Sequence, residues 1–103
     1  MFIAIASDNL VRISRVRDAI DGTVYTDATI TIDLLDLSET SVVTGISATY
    51  STTELAYLGI IPDTDTDGLN EGQLYYVDLN ISRGTSTLKV RLKLKAEYVS
   101  KFN

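Results

Sequence analysis

From Leu88 to Lys95 apolar and basic residues alternate without a break, Leu88, Val90, Leu92 and Leu94 against Lys89, Arg91, Lys93 and Lys95. A period of two puts all four apolar side chains on one face of a strand, whereas a helix would scatter them around its axis. The pattern recurs at Tyr75, Val77, Leu79 and Ile81, and again at Ala28, Ile30, Ile32 and Leu34, where Thr29, Thr31 and Asp33 take the other face. Val11 and Ile13 start a shorter run that slips at Arg15-Val16, as a bulged strand does. Val42-Val43, Ile46, Ala48 and Tyr50 form a strand bent at Gly45, and Leu55 to Ile61 a strand closed by Pro62. Turn chemistry separates these runs at Asp21-Gly22, Asp36 to Thr40 and Arg83-Gly84-Thr85, and the longest polar connection covers 63–72.

Met1 to Ser7 is apolar but lacks the basic flank of a signal peptide, so it is expected to be a first strand or an extended arm. That makes about seven strands with turns every 8–12 residues or so, the spacing of an immunoglobulin-like β-sandwich. The expected fold is therefore all-β, one domain over 1–103. An up-and-down barrel satisfies the same pattern. Leu69, Gly72 and Tyr75 favour the sandwich. At three-residue spacing ahead of Val77 and Leu79, they describe a tyrosine corner: a ring in the core with its hydroxyl bonded back into the preceding connection.

Composition removes whole classes of chemistry. The chain has no cysteine and no histidine. Disulfides, thiolate zinc sites, Ser-His-Asp and Cys-His catalysis and imidazole switching all need one or the other. With 103 residues, 45% of them hydrophobic, a core is available without such staples. No catalytic constellation stands out, so neither an enzyme nor a cofactor is expected. No apolar run reaches the length of a membrane span, and no membrane partner is expected.

Asp63, Asp65 and Asp67, followed by Gly68, reproduce the first half of a calcium loop of the D-x-D-x-D-G type. The twelfth position is Leu74 where a bidentate glutamate belongs. Aspartate and glycine are also ordinary turn formers, so the three aspartates are only a weak calcium candidate.

Charge is strongly segregated. Between Asp18 and Ser82 all twelve charged residues are acidic. Arg12, Arg15 and Arg17 precede that stretch, and Lys89, Arg91, Lys93 and Lys95 follow it. First and last strands of such sandwiches often lie side by side, which would merge the two basic segments into one positive edge. One account of that edge is protection, since lysines discourage strand edges from pairing. The other is an interface, a positive edge meeting a neighbour's negative flank. A nucleic-acid partner is not expected, because the net charge is −5 and no aromatics sit among the basic residues of the last strand.

Four segments carry a family resemblance: Asp8 to Ile13, Ile20 to Thr31, Tyr57 to Pro62, and Leu69 to Tyr75. An entry strand, a Thr-Asp-Ala-Thr strand start, a Tyr-x-Gly-x-x-Pro strand and a Leu-x-x-Gly-x-x-Tyr corner resemble small immunoglobulin-like virion proteins of tailed bacteriophages. The resemblance implies a virion structural protein: a capsid decoration or cement protein, or a head-to-tail or tail component. Its implied partners are phage capsid, portal or tail proteins, with many copies or a homo-oligomer on the particle. Its implied location is the virion, after synthesis in the host cytoplasm. The alternative function is a carbohydrate- or host-binding module, for which Tyr25, Tyr50, Tyr57 and Tyr76 are the candidate aromatics.

Overall fold

A computed structural model describes residues 2–17, 20 and 22–98. Asp21, the first residue of the expected Asp21-Gly22 turn, lies outside that set. Seven strands form: β1 (Phe2–Ala4), β2 (Asn9–Ser14), β3 (Thr29–Asp36), β4 (Ser41–Ser51), β5 (Ala56–Ile61), β6 (Leu74–Arg83) and β7 (Ser86–Glu97). Their order is β1-β7-β6-β3-β4-β5-β2. β3, β6 and β7 lie side by side as the C, F and G strands of an immunoglobulin sandwich do, and β2 pairs β5 as B pairs E. The expected all-β sandwich of about seven strands is what forms.

One strand belongs to both layers. Ser41 to Ala48 of β4 pairs with β3, whereas Thr49 to Ser51 pairs with β5. The switch follows two register shifts against β3, and Gly45 at φ +76 lets the backbone bulge there. Asp33 Oδ1 accepts the Gly45 N–H at 2.9 Å, which fixes the bulge to the neighbouring strand. The two layers then close into a nearly barrel-like wrap around one core.

The alternation seen in sequence builds that core. Ile30, Ile32 and Leu34 of β3 and Tyr75, Val77, Leu79 and Ile81 of β6 are buried against Ile13, Tyr57 and Ile61 from β2 and β5. A fully buried side chain of this size contributes about 1.5–3 kcal/mol, so these rows dominate the stability. Gly59 marks the tightest approach of the layers: a Cβ there would lie 2.7 Å from Ile32 Cδ1 and 3.2 Å from the Ser47 carbonyl oxygen.

The tyrosine corner is present. Tyr75 is buried and its hydroxyl accepts the Asn70 N–H at 2.9 Å. Leu69 is buried beside it, and Gly72 adopts φ +83 while its N–H donates to the Ala96 carbonyl.

Three local expectations change. The slip at Arg15-Val16 is the end of β2 rather than a bulge within it: Arg15 takes φ +60, and Arg17 makes an isolated antiparallel bridge with Val24. Leu55 precedes β5 with φ +54 and stays exposed. The 63–72 connection is not wholly irregular, for Asp63–Thr66 makes one helical turn, α1, after Pro62. Proline presets the entry, the Asp63 N–H donates to Asp8 Oδ1 at 2.8 Å, and Asp63 and Asp65 put negative charge in the first turn.

Candidate assembly surface

β7 is long and its outer edge is mostly open. On one side it pairs with β6 from Ser86 to Lys95. On the other, three-residue β1 covers only Lys95, Ala96 and Glu97, in parallel. Among the described residues Ser86 to Leu94 therefore keeps an unpaired edge. β1 is short because the chain turns at Ala6 (φ +53) and crosses to the other layer, where β2 pairs with β5. The Asn9 side chain holds this crossing, accepting the Ala4 N–H and donating to the Ala4 and Ser7 carbonyls.

That crossing leaves a seam between β2, one end of the sheet order, and the part of β7 that the other end strand, β1, does not cover. A cleft of about 340 Å³ opens there, with Val77, Leu92 and Leu94 on one side and Leu10, Val11 and Arg12 on the other. Further along β7 a second cleft, of about 290 Å³, lies between Ile81 and Leu88 on one side and Val16 and Arg17 on the other. Leu88 is 59% exposed, Val90 36% and Leu10 66%. The apolar face of the cleanest strand in the sequence thus meets no opposing layer along much of its length.

The seven candidate cations fall into four groups. Arg12 and Arg17 border the clefts, and Arg12 also reaches Glu54, donating to its carbonyl at 2.9 Å. Arg15 stands exposed at the end of β2. β1, not β2, lies beside β7, so the basic segments meet across the seam rather than on adjacent strands.

Lys89 and Arg91 are turned inward to their own sheet. Asp78 is directly opposite Arg91 and is 1% exposed. Arg91 donates from Nε and Nη2 to its two carboxylate oxygens at 2.7 and 2.8 Å, and to Glu39 at 3.0 Å. Lys89 Nζ is 3.4 Å from Asp78, and the Arg91 guanidinium lies 4.4 Å from the Tyr76 ring centroid. The Arg91 hydrogen bonds hold the Asp78 carboxyl below the usual range against the opposing effect of burial, with Lys89 adding to them. Lys93 and Lys95 make no ion pair among the described residues, and Lys93 only approaches Tyr76, at 5.8 Å from its centroid. Of the four β7 cations expected at an interface, Lys93 and Lys95 make no ion pair among the described residues, whereas Lys89 and Arg91 hold a buried acid.

The other candidates are dispersed. Asp63, Asp65 and Asp67 sit on or just after α1, and among the described residues no cluster of three or more acids could hold a metal ion. Thr66 of that turn instead anchors the β1–β2 crossing, donating to the Ser7 carbonyl and accepting the Ser7 N–H. Tyr57 is buried; its hydroxyl donates to the Tyr25 carbonyl at 2.5 Å and accepts the Ala28 N–H at 3.1 Å. Tyr50 packs edge-on against Tyr57, Tyr25 lies under Arg83, and Tyr76 lies under Arg91.

No protein-family model, curated protein or solved structure matches the chain. The seam itself went unforeseen. Length gave no warning of it, since the alternating run Leu88 to Lys95 is about as long as Met1 to Ser7; the turn at Ala6 is what keeps β1 short.

Proposed function

We propose that this domain is a bacteriophage virion structural protein, a capsid decoration, cement or head–tail connecting subunit that works by protein–protein assembly. The observation that carries the assembly reading is the β7–β2 seam: unpaired strand backbone, exposed apolar side chains and unneutralised lysines at one place. Exposed apolar surface flanked by charge is how interaction sites are built. The phage assignment rests on the sequence resemblance, whose corner residues Leu69, Gly72 and Tyr75 all take the roles that the motif describes. A glycan-binding module would present its aromatics as one exposed platform. Here Tyr57 is in the core, and Tyr25 and Tyr76 lie under different arginines.

Mass spectrometry of purified particles tests the reading. The protein should be recovered at a copy number that matches capsid or tail symmetry, and its absence would sink the proposal. A Lys93→Glu, Lys95→Glu double variant should melt within a few degrees of wild type, since neither lysine makes an ion pair among the described residues, yet incorporate poorly. Replacing Arg91 in such a test would confound assembly with folding.

A further inference from the structure

We propose that the seam is a vacant strand position, filled in the assembly by an extended segment of a partner protein that alternates apolar and acidic residues. The inference deepens the assembly reading and rests on it. Three observations define the occupant. First, the Ser86–Leu94 edge of β7 offers backbone donors and acceptors unpaired among the described residues, which an added strand satisfies. Second, the clefts beneath are apolar, with Val77, Ile81, Leu88, Leu92 and Leu94 along the β6–β7 side. A strand laid there points every second side chain into them, so those positions must be apolar.

Third, charge sets the intervening positions. They would emerge on the outer face beside Lys93, with Lys95 just past the end of the open edge and Arg12 and Arg17 on the far rim. Acidic residues there meet cations, whereas basic ones meet like charge. The same argument disfavours a second copy paired in the central register. Antiparallel self-pairing of β7 centred on Val90 would set Lys89 opposite Arg91 of the partner copy, twice over. The other long open edge, β4 from Ser41 to Ala48, is bulged at Gly45 and twisted away from regular pairing. Lysines that merely protected an edge would not explain why Leu88 and Val90 remain exposed on its other face. Together the two faces disfavour the chain's own strands and select an acidic, apolar-alternating one.

The probe is a capped nine-residue peptide alternating glutamate and valine, matched to Ser86–Leu94, labelled and titrated with the full chain by fluorescence anisotropy. Saturable binding is expected, weakened at least about tenfold when lysine replaces glutamate or when a central valine becomes proline. A Leu88→Lys, Val90→Lys variant, changed only at exposed positions, should fold with wild-type circular dichroism and lose about tenfold in affinity. No saturable binding would overturn the proposal, as would equal binding of the lysine or proline peptide. Equal affinity for a single-stranded oligonucleotide would show a generic anion surface, and dimers at the peptide-free working concentration would show that a second copy takes the seam; either result overturns it. If the protein is found in particles but the peptide does not bind, the seam proposal alone fails. If the peptide binds and the protein is absent from particles, the virion reading alone fails.

Discussion

Two tyrosine hydroxyls fasten loops to the core, and they differ in what they hold. Tyr75 accepts one backbone N–H, from Asn70. Tyr57 both donates to the Tyr25 carbonyl and accepts from Ala28, so it ties the segment before β3 to β5. Removing one oxygen therefore strands one backbone group in the first case and two in the second. Tyr75→Phe should cost about 1 kcal/mol and Tyr57→Phe about 2–3 kcal/mol, read from urea unfolding with unchanged slope. Tyr76→Phe, whose ring only supports Arg91, should change little. Tyr75 was legible because its corner is local, spelled out within seven residues from Leu69. Tyr57 was not. Its partners lie about thirty residues away, and only the fold brings Tyr25 and Ala28 to it.

At the scale of elements, strand identity followed from alternation, because period two survives in β3, β6 and β7 whatever they pack against. Partnership did not. Nothing in Ser41 to Ser51 announces that its last three residues leave β3 for β5, although Gly45 announces a bend. Gly59 reads in sequence as one more strand glycine, yet it is the point where β5 presses on β3 and β4. A methyl group there meets the end of fully buried Ile32 and a backbone oxygen that cannot rotate away. Gly59→Ala should destabilise by about 1–3 kcal/mol through overpacking, with the β5–β4 contact loosening first. Faster amide exchange at Tyr57 and Leu58 than elsewhere in the sheet would identify that contact. A neutral or stabilising Gly59→Ala would mean that Ile32 finds a second rotamer and that the approach is not a constraint.

Across the whole molecule the charge segregation of the sequence does two different jobs. Part of it builds the sheet: acids from the middle of the chain and bases from its end meet at Asp78–Arg91, Asp27–Arg83 and Glu39–Arg91. The other job, on our proposal, falls to Lys93 and Lys95, which make no ion pair among the described residues and would meet the partner. The first job makes stability depend on pH in a definite direction. Hydrogen bonds from Arg91 keep the Asp78 carboxyl below its ordinary value near 3.8, even though burial opposes this. A carboxylate with a lowered folded value contributes fully above the unfolded value, and that contribution disappears as the pH falls through the folded one. Asp78→Asn should therefore cost about 2 kcal/mol at neutral pH, less than a wholly buried pair because Arg91 is partly in water. Its deficit relative to wild type should shrink as the pH drops below about 4, where the unfolded chain takes up the proton first. Urea titrations from pH 7 to 2 would show the two stability curves converging. Parallel curves would mean that Asp78 acts by shape and not by charge, and Arg91 would then return to the set of cations free to meet a partner.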